Sequence, residues 1–215
     1  MILENMTKEE ITKECNLENE WVLERLTGVT IKYKKQLKLG ISRKILGITK
    51  YVSPRNNNLW VVWLKDKMGS TKFISYALFI EFRDNTGKRN YIMHSEDGNI
   101  AIFTGHLLDR LKERAGLDWE GFLRYFYDFS GFALSFNEYE YYGKKTKMAS
   151  FGGLGLFIVD VNDKWGCTVF KTFVNSELLG ENQVESLVQS KIDTTYYRIK
   201  MDKMWDNSFK RQFNF

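Results

Sequence analysis

From Leu59 to Thr104 the chain alternates short β-rich runs with tight-turn signals, and this pattern leaves few folds open. LWVVWL begins at Leu59. A long apolar run over 72–83 ends at the turn Asp84-Asn-Thr-Gly87. KRNYIMH (88–94) follows, then SEDGN, then NIAIFT (99–104). Runs of this length separated by Gly, Asn and Asp pair as hairpins, so sequential strands are expected to be antiparallel. MASFGGLGLFIVDV and GCTVFKTFVN read as two more strands around a VNDKWG turn. SFGGLG runs into a strand rather than a helix. Its glycines therefore read as a bulge or a close approach, not as a phosphate loop.

Helical patterns bracket and interrupt these strands. Thr7 with Glu10 forms a capping box, and Ile11, Cys15, Leu17, Trp21 and Val22 follow at roughly helical spacing toward an exit at Gly28. Residues 29–53 fit short strands broken by Gly40 and Gly47, and SPRNNN fits a turn. A second helix is expected from Gly105 to Ala115, with Thr104 as N-cap and Gly116 as its end. Asp118 caps a further helix, WEGFLRYFYDF. Residues 132–148 read as an aromatic strand and a charged loop. Asn175 or Ser176 caps a last helical region reaching Met204. The expected fold is α+β: a mostly antiparallel sheet with helices at the N-terminus, middle and C-terminus. The chain has one proline and no Gly/Ser-rich linker. Residues 1–215 are therefore expected to form a single α+β domain. In it, 1–58 is an N-terminal helix and basic segment, and 59–204 is the sheet with its packed helices.

Cys15 and Cys167 cannot scaffold a chain of this size as a disulfide, and both are expected to be buried thiols. The N-terminus lacks the basic and apolar regions of a signal peptide. No apolar run approaches the roughly 18 residues of a membrane span. A cytoplasmic location without a membrane partner is the expectation. Two Cys and two His are scattered without metal-ligand spacing, so no metal and no cofactor is expected. Asp160, Asp163 and Lys164 belong to an ordinary hairpin turn in this reading.

Charge is unevenly placed. Between Arg25 and Lys65 there are ten Lys/Arg and no Asp or Glu, which leaves 22 basic against 27 acidic residues elsewhere. Tyr33, Tyr51, Trp60 and Trp63 interleave with this block. Cations with aromatic rings between them suit phosphate contact with base stacking. A solvated basic face over core aromatics accounts for the same pattern.

The segment Thr104–Gly116 carries the most suggestive chemistry. At about 100° per residue, His106, Arg110 and Arg114 lie at about 0°, 40° and 80° of one helix, beside an apolar face of Leu107, Leu108, Leu111 and Ala115. An imidazole moves protons near neutral pH, and guanidinium groups hold phosphate bidentately. Glu113 is placed to pair with Arg110 at i, i+3. His94, at the end of a strand, is the only other histidine and a candidate second proton carrier. Lys171 lies on an apolar strand face with Val169 and Phe173. A buried ammonium needs a partner, a ligand or room to reach water. Each of these residues also fits an ordinary surface helix, an exposed turn or an edge strand.

HLLDRLKER followed by a late Lys-Thr-Phe strand resembles the barnase/EndoU/RelE-like class of bacterial ribonuclease toxins. His106, Arg110 and Arg114 match the H-x-x-x-R-x-x-x-R helix, and Lys171 and Thr172 match the later strand. The match covers roughly residues 98–180, and the long meander before the helix departs from the compact pattern of that class. The resemblance implies a metal-independent endoribonuclease, a toxin or defence effector, in which an RNA 2′-hydroxyl attacks the adjacent phosphate. His106 is then expected as general base or acid, with His94, which matches no part of that motif, as a candidate for the other role. Arg110, Arg114 and Lys171 would hold phosphate, and Thr172 would donate a hydrogen bond. Lys32, Lys34, Lys35, Lys38, Arg43 and Lys44 would hold flanking RNA, and a cognate inhibitor protein would be a further partner. The other expectation is a non-catalytic module of a phage or defence system that binds nucleic acid or protein. In that case the basic block keeps its role and the His/Arg stripe is plain surface.

Overall fold

The computed structural model describes residues 2, 5–38, 47–66, 74–94, 100–123, 135–141, 144–150, 154–161, 167–181, 183–185, 187–189, 192 and 196. Its elements are α1 (Lys8–Lys38), β1 (Gly47–Val52), β2 (Leu59–Asp66), β3 (Ile74–Arg83), β4 (Arg89–His94), β5 (Ile100–Phe103) and α2 (Gly105–Ala115). Then come β6 (Ser135–Tyr141), β7 (Lys144–Ser150), β8 (Gly155–Asp160), β9 (Thr168–Asn175) and a 3-10 turn at Ser176–Leu178. The fold is α+β and mostly antiparallel, as expected. The chain divides into two compact units: Met1–Gly105 with Asp160–Phe170, and His106–Val159 with Lys171–Phe215.

In the first unit the strand order is β1-β2-β3-β4-β5-β9. The meander β1 to β5 is antiparallel throughout, and β5 pairs with β9 in parallel. The parallel pair was not expected. Its partners are far apart in sequence, so a tight turn does not constrain them. Register places Trp60, Ile80, Ile92, Ile102 and Val169 in one row across five strands, and all five are buried. Period-2 alternation sends this row to the face that α1 covers. Ile11, Cys15, Val22 and Leu26 of α1 join the same core. The other face of the strands is also buried, with Phe103 stacked on Phe170 at 4.9 Å.

Helix α1 starts as the sequence dictates. Thr7 N donates to Glu10 Oε2 at 2.7 Å, and Glu10 N donates to Thr7 Oγ1 at 3.3 Å. It does not stop at Gly28. Leu26, Val29 and Tyr33 continue the apolar seam, and packing outweighs the roughly 1 kcal/mol that Gly costs inside a helix. The basic stretch up to Lys38 is therefore helix, not strand. The seam itself differs from the expected one: Leu17 is exposed, and Glu18 is buried in its place.

In the second unit the order is β9-β8-β7-β6, with β6–β7 and β7–β8 antiparallel. Phe122, Phe157 and Phe173 pack ring on ring at 5.8 and 5.1 Å. On alternate positions, Leu156 joins Met148 and Leu187. Asp118 caps 119–123 as expected, through Gly121 N at 2.7 Å. Gly116 closes α2 with φ +64°. Thr104, by contrast, gives its hydroxyl to Phe170 O at 3.2 Å, and Asn90 Oδ1 takes up the first amide of α2, Gly105 N, at 2.9 Å. After β9, Asn175 makes no side-chain cap bond. Helical residues begin at Glu181, where Gln183 Oε1 accepts from Gly180 N.

Candidate functional site

The His/Arg stripe falls in the second unit, as do Lys171 and Thr172. Helix α2 buries Leu107 and Leu111 and leaves His106 exposed in its first turn. About 12 Å along the axis, at the last turn, Arg114 Nη1 donates to the carbonyl of Phe173 at 2.6 Å. That bond seats α2 on β9 directly after Lys171 and Thr172, which are both half-buried. Arg110 Nη1 pairs with Glu113, as i, i+3 spacing anticipates. The helix and strand are thus neighbours, but both guanidinium groups have partners within the chain. Arg114 serves the backbone of β9, and Arg110 faces a carboxylate.

His94 closes β4, opposite Ile100, in the first unit. Its Nε2 is buried without a hydrogen-bond partner, and burial pushes the imidazole pKa below its ordinary value. Among the described residues no group of three His, Cys, Asp or Glu is placed to hold a metal ion. Asp163, Lys164, Arg43 and Lys44 lie outside the described residues.

The first unit carries a cation–aromatic patch that sequence reasoning located only in part. Lys32 is exposed on α1, and Lys34, Lys35 and Lys38 follow on the same helix. One turn before Gly28, the exposed Arg25 holds its guanidinium carbon 5.6 Å from the Trp21 ring centroid. Tyr51 of β1 meets Trp21 edge-on, at 6.4 Å and 87°. Trp21, Tyr33 and Tyr51 all rest on the core while staying partly exposed. Burial raises the Tyr51 hydroxyl pKa, Arg25 draws it down, and Tyr33 adds to the rise, so these groups share one electrostatic environment. Lys50 and Arg55, on β1 and the turn after it, are exposed as well.

Trp60 was expected among the interleaved rings and cannot serve there. It is fully buried, and its Nε1 donates to Glu18 Oε2 at 2.7 Å. Glu18 also accepts from Ser53 Oγ at 2.5 Å and Asn58 Nδ2 at 3.0 Å. This network ties α1 to the turn between β1 and β2, and so holds Trp21 over Tyr51. Trp21 was read as part of the helix seam; its i, i+4 spacing to Arg25 was the available signal. No helix among the described residues is long and apolar enough to cross a membrane. No protein-family model matches the chain, and no curated protein or solved structure matches it.

Proposed function

We propose that this chain is a nucleic-acid-binding protein that holds an RNA backbone along the basic half of α1. The observation behind this reading is that one continuous helix carries exposed Arg25 and Lys32 and runs on through Lys34, Lys35 and Lys38. No acid intervenes after Arg25. Cations spaced along a rigid rod lose little order on binding, so phosphate neutralisation and counterion release translate into affinity. Such a ligand would place the protein in the cytoplasm, where its buried free thiols persist. The test is fluorescence anisotropy with a labelled RNA oligonucleotide at low salt. Replacing Arg25 and Lys32 by Glu together should weaken binding by about tenfold or more. Unchanged affinity would contradict the assignment of the surface.

A second reading is the metal-independent endoribonuclease. It draws support from the Arg114–Phe173 bond, which brings α2 beside the Lys171–Thr172 strand. In this reading His106 moves the proton, Lys171 holds the phosphate and Thr172 donates to it. Arg114 positions the helix. Arg110 must leave Glu113 to reach the substrate. Cleavage of RNA but not of its 2′-deoxy counterpart would support it, with cyclic 2′,3′-phosphate ends, insensitivity to chelator and loss in His106→Ala. Intact RNA after prolonged incubation would remove it and leave the binding reading in place.

A further inference from the structure

We infer that the rings of Trp21, Tyr51 and Tyr33 are a stacking platform for an unpaired base, so that the protein takes single strands in preference to duplexes. This rests on the nucleic-acid reading above. The three rings are held from below by the core, and Trp21 and Tyr51 brace each other edge to face. Trp21 is fixed further because the neighbouring Glu18 is locked to Ser53, Asn58 and Trp60. A ring platform of this kind suits either a cation or a flat base. Charge decides between them. Arg25, 5.6 Å from the Trp21 ring centroid, and Lys32 are exposed on the helix that carries Trp21, and they repel a cationic ligand while attracting the phosphates that accompany a base. The exposed Glu24, three residues after Trp21, opposes that attraction. Duplex bases hide their faces in the helical stack, so a duplex can offer this patch its backbone only.

Gly28 supplies an independent observation. Trp21, Arg25, Gly28 and Lys32 stand at i, i+4, i+7 and i+11, so they share one stripe of α1. A Cβ built at Gly28 meets nothing within 4 Å. Packing therefore does not require glycine there, although Gly weakens a helix interior. The stripe is left with a bare step between two cations, where a sugar–phosphate can approach the helix backbone. Gly28→Ala should stabilise the helix and yet weaken single-strand binding.

The experiment compares labelled single-stranded RNA and DNA oligonucleotides with their duplexes, by anisotropy, on the full chain. The expected result is tighter binding of both single strands, with a fall of roughly tenfold in Trp21→Leu and no change for duplex. Glu24→Gln should strengthen binding of both forms. Trp21→Phe keeps a ring and should keep most of the affinity, while the quenching of tryptophan emission by single strands disappears. That variant decides the matter if Trp21→Leu does not fold, as judged by circular dichroism. Binding of neither strand form would overturn the nucleic-acid reading and this inference together. Equal binding of single strand and duplex, or quenching that survives in Trp21→Phe, would overturn the platform alone.

Discussion

Glu18 lies in the seam of α1 that faces the sheet, only 2% exposed, with hydrogen bonds from Ser53, Asn58 and Trp60 as its compensation. Removing the carboxylate takes the acceptor from Ser53 Oγ and Trp60 Nε1, at about 1–3 kcal/mol each, while Asn58 Nδ2 keeps Glu14 Oε1 at 3.1 Å. Glu18→Leu is expected to cost at least about 2 kcal/mol in urea denaturation, and Glu18→Gln less, because one amide oxygen still accepts. A cost near zero for Glu18→Leu would mean the network does not anchor α1. His94 gives a pH-dependent counterpart. Its half-buried imidazole has a lowered pKa, so the unfolded chain takes up the proton first as pH falls. Its contribution is fully present above the ordinary value of 6.5 and is lost as pH drops below it. The denaturation midpoint should therefore decline from about pH 6.5 downward, and His94→Met should flatten the decline. An identical profile in that variant would remove His94 as the cause. Neither residue's setting was legible in sequence. Glu18 is bonded to groups 35 to 42 positions away, and nothing local marks it as buried.

At the scale of elements, glycine positions show what local signals can carry. Gly155 opens β8, where an added Cβ would run into the carbonyl of Val174 and lie 2.6 Å from the Phe173 ring. The close approach that SFGGLG suggested is thus present at this glycine. Gly155→Ala should cost about 1–3 kcal/mol or more, because the obstacle includes backbone that cannot rotate away. Chemical denaturation checks this, and an unaffected midpoint would contradict the close packing of β8 on β9. The capping box at Thr7, the Asp84–Gly87 turn, the Asp118 cap and the Gly116 stop were all legible, since each is a short-range hydrogen-bond or dihedral requirement. The length of α1 was not. Gly28 reads as a stop in isolation, and only the continued burial of Leu26, with Val29 and Tyr33 behind it, carries the helix onward. The parallel β5–β9 pair was equally hidden, because alternation fixes a strand's faces but not its distant neighbour.

For the whole molecule, the α+β class followed from the order of periodic segments, and the charge asymmetry followed from counting. The division into two units did not, because both units are discontinuous in sequence. The same holds for the candidate surface. The basic run was visible as a string, but which rings accompany it depended on the fold. Trp60 sinks into the core, and Trp21, one helical turn from Arg25, stays partly exposed. In the proposed function, phosphate neutralisation by the basic half of α1 drives binding. The measurement that meets it most directly is the salt dependence of affinity for a single-stranded RNA, for the wild type and for Lys34→Glu/Lys35→Glu/Lys38→Glu. Counterion release requires a linear fall of log K with log salt, steepened by roughly 0.7 for each neutralised phosphate, and a flatter slope in the triple variant. No binding at low salt, or the same slope in both proteins, would contradict it.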